Sequence, residues 1–126
     1  MKILIVDDAK TMRTIIKNVL KKLGFSDEHF LEAGDGEEAL KILEEHADEI
    51  KIIFLDWNMP KMNGFEFLKI VRANPKYDHI KIVMVTTETK KENVIAALKA
   101  GVNNYIAKPF TPQVLKQKLE QMGIKM

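Results

Sequence analysis

The most constraining feature of this chain is a repeated alternation between short continuous apolar runs and longer amphipathic stretches. Ile3 to Val6, Ile52 to Leu55 and Ile80 to Val85 are short apolar runs rich in β-branched residues, the last broken only by Lys81. Runs this short and this continuous suit strands of a parallel sheet covered on both faces. His29 to Ala33 ("HFLEA") and Asn104 to Ala107 ("NYIA") are shorter and more polar, as expected nearer the sheet edges. Between them lie apolar residues at helical spacing. Met12, Ile15, Ile16, Val19, Leu20 and Leu23 mark a first helix, with Gly24 as its C-terminal stop. Leu40, Leu43 and Ala47 mark a second, begun near Gly36, with Glu37 and Glu38 beside the positive end of its dipole. Phe65, Leu68 and Val71 mark a third, closed by Asn74-Pro75; Val94, Ile95, Leu98 and Val102 mark a fourth. Val114, Leu115, Leu119 and Met122 mark the last, with Pro112 in its first turn. Strand and helix thus alternate five times, and right-handed crossovers then favour a doubly wound α/β sandwich.

Composition removes several functional classes. The 126 residues fit one domain with a real core, and no repeat or second domain is visible. The chain ends soon after the fifth helix, so no output domain is expected. With no cysteine, disulfides, thiolate metal sites and a cysteine nucleophile are excluded. A net charge of +2 is too small to argue for nucleic acid or a membrane surface. No apolar stretch approaches the roughly 20 residues that span a bilayer. The opening "MKILIVDD" meets two acids after four apolar residues and fails as a signal peptide. A cytoplasmic protein is expected.

In a doubly wound sheet the functional crevice lies beyond the carboxyl ends of the strands, at the switch in strand order. The residues at those ends are Asp7 and Asp8, Asp56, Thr86 and Thr87, and Lys108. Clustered carboxylates repel one another and invite a hard cation; Mg²⁺ takes one or two carboxylates together with waters and phosphate oxygens. Facing them, a lysine and a hydroxyl suit the other side of a phosphoryl group. Carboxylates also act as covalent nucleophiles, and Asp56 is best placed, at the end of the most apolar strand. Asp7 and Asp8, at the turn into the first helix, suit the metal better. Each residue alone has a plainer explanation as a helix cap, a turn residue or an ordinary loop. Their coincidence on one rim favours the chemical reading.

These residues, together with "ILIVDD", "LDWNMPKMNG", "VMVTTETKKENV" and "AGVNNYIAKPFTPQVL", carry a family likeness. The chain resembles the receiver domain of two-component response regulators, nearly end to end, and "DWNMP" and "KPFTP" resemble the single-domain chemotaxis type. The resemblance implies a flavodoxin-like (βα)5 sandwich with a parallel five-stranded sheet in the order 2-1-3-4-5. It implies Asp56 as phosphoacceptor and Mg²⁺ as cofactor. The metal would be held by Asp8, by Asp7 mainly through water, by Asp56, and by the backbone carbonyl of Asn58. Lys108 would pair with phosphoryl oxygens, Thr86 would hydrogen-bond to one, and Tyr105 would turn inward in response. A cis peptide is expected before Pro109. Two departures stand out: Thr87, where receivers often carry a smaller residue beside the phosphoryl entry route, and Ala9, where a capping serine is common.

The resemblance also implies partners: a histidine kinase of CheA type, the flagellar switch protein FliM and a phosphatase. The output surface would comprise Lys90, Lys91, Val94, Tyr105, Phe110 and Lys118, an apolar centre ringed by lysines that suits an acidic amphipathic segment. A monomer is expected, and the protein would be an enzyme only toward its own phosphoryl group. Trp57 is expected partly exposed beside the site; His29, His46 and His79 share no ligand spacing, and the methionines mostly fill core. An aspartyl-phosphate phosphatase is disfavoured because Asn58 stands where its general acid would be. A nucleotide- or flavin-binding module is disfavoured because a dinucleotide fingerprint needs glycines after the first strand and "DDAKTMR" has none. The remaining alternative is a receiver serving as phosphorelay intermediate or phosphate sink.

Overall fold

The computed structural model describes residues 1–126. Five strands, β1 (Lys2–Val6), β2 (Phe30–Ala33), β3 (Ile50–Leu55), β4 (Lys81–Thr86) and β5 (Asn104–Ala107), form one sheet in the order β2-β1-β3-β4-β5. Every neighbouring pair is parallel. Each strand is followed by a helix: α1 (Lys10–Lys22), α2 (Gly36–His46), α3 (Gly64–Arg72), α4 (Lys91–Lys99) and α5 (Pro112–Gln121). This is the flavodoxin-like sandwich expected from the alternation, with the expected strand order. The edge segment "HFLEA" is a strand only from Phe30, because Asp27–His29 close a 3-10 turn first.

The two faces of the sheet carry separate cores. Leu4, Val6, Ile53, Leu55, Ile82 and Met84 pack beneath α2 and α3 with Leu43, Phe67, Leu68 and Val71. Ile3, Ile5, Phe54, Val83 and Val85 pack beneath α1 and α5 with Ile16, Val19, Leu20, Leu115 and Leu119. Successive strand residues point to opposite faces, so continuous apolar runs are what a sheet covered on both sides requires. Each fully buried aliphatic or phenyl side chain contributes about 1.5–3 kcal/mol through burial.

Helix ends are fixed by local chemistry. Gly24, at φ +101°, takes the left-handed conformation that ends α1, and Phe25 N–H returns to the Leu20 carbonyl at 3.2 Å. Asp35 caps α2 by accepting from Glu38 N–H at 2.9 Å. Asn63 and Glu66 form a reciprocal capping box at α3, at 2.9 and 3.1 Å. Ala9 leaves α1 without a side-chain cap, as its sequence implied.

α4 departs from its sequence pattern. Ile95 and Leu98, placed at core spacing, lie 40% and 50% exposed, and Ala97 alone in the helix is buried. The helix packs over the sheet margin, where β5 is the edge strand and offers little surface to cover it, so one apolar row faces solvent. Val114 of α5 is exposed in the same way.

Candidate functional site

The β-ladder continues one residue past three strand ends, and those residues are the acids and the lysine. Asp7 N–H donates to the Ala33 carbonyl at 3.0 Å, Asp56 N–H to Val6 at 3.0 Å, and Lys108 N–H to Thr86 at 2.9 Å. Their main chains therefore share the rigidity of the sheet while their side chains emerge from its edge. Asp7 is 2% exposed, Asp56 7% and Thr86 fully buried. Asp8, one residue further on, is exposed.

Gly64 explains how Asp56 is held from behind. A Cβ there would lie 2.0 Å from the Asp56 carbonyl oxygen, and Gly64 N–H donates to Trp57 at 2.8 Å. The first turn of α3 thus packs directly against the backbone of the acid. "NG" in the sequence signalled a turn; this close approach behind the strand end was not visible in it.

The charges converge. Carboxylate oxygens of Asp7, Asp8 and Asp56 lie within 4.8 Å of one another. Lys108 Nζ stands 2.7 Å from Asp7 Oδ2 and 3.5 Å from Asp56 Oδ2. Asp7 Oδ1 also accepts from Ala9 N–H at 2.9 Å, so both its oxygens are engaged. Asp56 is held more loosely, its other oxygen accepting from Asn58 N–H at 3.4 Å. The donor set is all oxygen and all anionic, which fits a hard divalent ion and offers nothing to a soft one. One ammonium among three carboxylates leaves a net negative pocket, the electrostatic condition for such an ion.

Arg13 was missed by sequence reasoning. Its guanidinium donates to the Asp7 carbonyl at 2.5 Å and to Glu32 Oε1 at 2.9 Å, tying the acidic turn to β2. Burial alone would push the Glu32 carboxyl up, but hydrogen bonds from Lys17 and Arg13 outweigh it and hold the group below its ordinary range.

On the other flank, Thr86 Oγ1 accepts from Glu88 N–H at 3.2 Å, and the Tyr105 hydroxyl donates to the Glu88 carbonyl. Tyr105 is thus already docked on the loop between β4 and α4. Burial, then the negative charges of Glu88 and Asp56, push its phenol up to about 12. Glu88 had no role in the sequence reading; its carboxyl is lowered by hydrogen bonds from Asn93 and from Lys90 N–H, which fold the loop onto itself. Lys90, Lys91 and Lys118 are exposed, while Val94, Tyr105 and Phe110 are half-buried. Phe110, Val114 and Lys118 border a groove of about 500 Å³ along β5 and α5. Trp57 is half-buried beside the site and stacks on Phe65, centroids 4.9 Å apart. Thr87 is exposed, and the Lys108-Pro109 peptide is cis, as expected.

With this geometry in hand, comparison with known proteins decides the family. The model of the response regulator receiver domain matches residues 3–120. The chain belongs to the response regulator receiver family. The receiver is of chemotaxis type. It is 59% identical over 122 residues to a chemotaxis protein CheY homolog of Campylobacter jejuni, covering 97% of this chain and 92% of that one. It is 58% identical over 120 residues to CheY1 of Helicobacter pylori, covering 95% and 94%. Among solved structures, CheY4 of Vibrio cholerae superposes with a TM-score of 0.83 at 35% identity, covering 95% of this chain and 96% of that one. A CheX-CheY-BeF3-Mg complex from Borrelia burgdorferi gives 0.83 at 27% identity, covering 99% and 90%. No helix of this receiver is long and apolar enough to cross a membrane.

Proposed function

We propose that this CheY-like receiver is a phosphorylation-activated chemotaxis regulator that accepts a phosphoryl group on Asp56. The observation that carries this reading is the state of the Asp56 carboxylate. It is buried, aimed into an anionic pocket beside Lys108, and held only by contacts of 3.4 and 3.5 Å. A carboxylate with a purely structural role would be expected to be fully hydrogen-bonded at this depth.

The chemistry is a group transfer between two nucleophiles. An Asp56 oxygen attacks phosphorus of a phosphohistidine on a CheA-type kinase; the P–N bond breaks, the electron pair leaves with the imidazole, and an acyl phosphate forms. Asp7, Asp8, Asp56 and the Asn58 carbonyl would hold Mg²⁺, which when bound offsets charge on the acids and the phosphoryl oxygens. Lys108 neutralises a phosphoryl oxygen as it exchanges its contact with Asp56 for one with the new group. Asp8, exposed and unpaired, is the acid freest to meet an incoming ion; Asp7 is already tied to Lys108 and Ala9.

Activation is a population shift. The phosphoryl group draws Thr86 Oγ1 away from Glu88 N–H. That favours the loop conformation in which Tyr105 stays docked, and it biases the face of α4, β5 and α5. Lys90, Lys91, Val94, Tyr105, Phe110 and Lys118 on that face receive an acidic amphipathic segment of the switch protein FliM. A phosphatase ends the signal; a similar CheY has been solved in complex with a second protein, CheX. The receiver acts in the cytoplasm as a monomer, through the surface of α4, β5 and α5.

Incubation with acetyl phosphate and Mg²⁺ tests the acceptor: wild type becomes labelled and Asp56→Asn does not. Equal labelling sinks the assignment. Beryllofluoride loading should raise affinity for a FliM N-terminal peptide; unchanged affinity argues for a relay or phosphate-sink role instead.

A further inference from the structure

The pole opposite Asp56, where the strands begin, carries a second concavity. It has a volume of about 220 Å³ and lies between the starts of β3 and β4, the turn after α1 and the segment after α5. Its floor is apolar: Phe25, Ile52 and Ile124 are 4%, 6% and 2% exposed. Its rim holds Lys51, Lys81 and Lys125, with no acid among the lining residues.

None of these three lysines forms an ion pair, a condition they share with most lysines of the chain, so their charges are open to an added anion. Two are directed by main-chain carbonyls instead. Lys51 Nζ donates to Asp48 at 3.2 Å and Lys81 Nζ to Met122 at 3.5 Å. Lys81 and Ile52 are register partners across the β3–β4 ladder, so one cation stands beside the apolar floor by construction of the sheet. Neither Glu49 nor Asp78 lines the hollow, and Glu49 lies 3.6 Å from His46. Three exposed like charges around an apolar hollow raise the local positive potential and favour an anion. A hollow of this size takes a small ring or short chain, well below the size of a typical nucleotide site.

We propose that this basal hollow binds a small organic anion, with an apolar body on Phe25, Ile52 and Ile124 and a carboxylate or phosphate head among the three lysines. The ligand class follows from the pairing of floor and rim. The apolar surface rewards burial of a hydrocarbon body, and the unpaired ammonium groups reward a single anionic head. Because the site lies at the far pole from Asp56, its occupancy stands apart from phosphoryl acceptance.

Phenyl phosphate is a direct probe, used with the full chain in metal-free buffer and followed by amide chemical shifts. Saturable shifts are expected at Ile52, Gly123 and Ile124, with a dissociation constant on the order of 1 mM. Lys51→Gln with Lys81→Gln should weaken binding by about tenfold, since each exposed charge contributes modestly; both positions are exposed, so the fold should persist. Asp56→Asn should leave binding unchanged. Inorganic phosphate should bind more weakly than phenyl phosphate. Shifts centred on Asp56 and Lys108, affinity unchanged in the double variant, or equal affinity for inorganic phosphate would each overturn the proposal.

Discussion

Replacing Asp56 by Asn should make the metal-free protein more stable, even though it removes the proposed reactive group. Two charge terms oppose each other. With an effective dielectric near 20, repulsion across at most 4.8 Å is at least about 3.5 kcal/mol for each of the pairs Asp56–Asp7 and Asp56–Asp8 before solvent screening. Attraction to Lys108 across 3.5 Å is about 5 kcal/mol on the same scale. Asp8 is exposed, so solvent reduces its share and the two charge terms nearly cancel. Desolvation then decides the sign. Asp56 is 7% exposed and makes only long contacts, so burying its charge costs several kcal/mol that an amide avoids. Lys108 loses little, because its 2.7 Å contact with Asp7 remains. A net gain of about 1–2 kcal/mol follows, which moves a urea midpoint upward by roughly 0.5–1 M. The assay is urea unfolding of both proteins with a chelator and again with Mg²⁺. Magnesium should raise the midpoint of wild type more than that of the variant, since binding to the folded state alone stabilises it. A variant that unfolds at lower urea than wild type in chelator would refute the electrostatic reading of the site.

Other perturbations probe the scaffold. Gly64→Ala places a methyl group where 2.0 Å separates it from the Asp56 carbonyl oxygen, so α3 must shift; a loss of about 3 kcal/mol or more in urea unfolding is expected, with slowed acetyl phosphate labelling. Arg72 donates to the Gly101, Tyr77 and Ile80 carbonyls and to Asn103 Oδ1, at 2.7–3.2 Å, joining the end of α3 to the turn before β5. Arg72→Ala should cost about 2–3 kcal/mol, because the partly buried carbonyls lose charge-assisted partners; a loss under about 0.5 kcal/mol would contradict that role. Tyr105 should ionise near pH 12, read as the difference in phenolate absorbance between wild type and Tyr105→Phe. Its raised value means the unfolded chain loses this proton first, so stability should fall as pH rises from about 10 toward 12.

The β/α alternation made the fold legible because strands buried on both faces leave continuous apolar runs, while helices buried on one face leave apolar residues three and four apart. The site was legible for a related reason: a parallel sheet places all its strand ends on one edge, so Asp7, Asp56, Thr86 and Lys108 could be gathered without coordinates. What stayed hidden depends on main-chain approach. Arg13 reaches the carbonyl of Asp7, and Glu88 offers its carbonyl to Tyr105; carbonyls carry no residue identity, so no motif announces them. Gly64 was readable as a turn but not as the gap that admits α3 against Asp56. In α4, spacing suggested burial for Ile95 and Leu98, but spacing reports which residues share a face and not whether anything covers it.

Under the proposed function, that uncovered face favours α4 as an element through which the signal would leave. The helix has nine residues, one buried side chain, and no side-chain cap at Lys90. α3 is equally short but buries Phe67, Leu68 and Val71 and carries a capping box. Local stability follows buried contacts and satisfied ends, so α4 lies at the low end of the molecule's range while the strands bearing the acids lie at the high end. A phosphoryl group on Asp56 can offer only the free energy of a few charge-assisted hydrogen bonds to Thr86 and Lys108. That is too little to repack β3 or α3, but it is comparable with what holds α4 and its preceding loop in place. The same thin packing leaves Ile95 and Leu98 facing outward, so under the proposed function the most weakly held helix would also offer apolar surface to a partner.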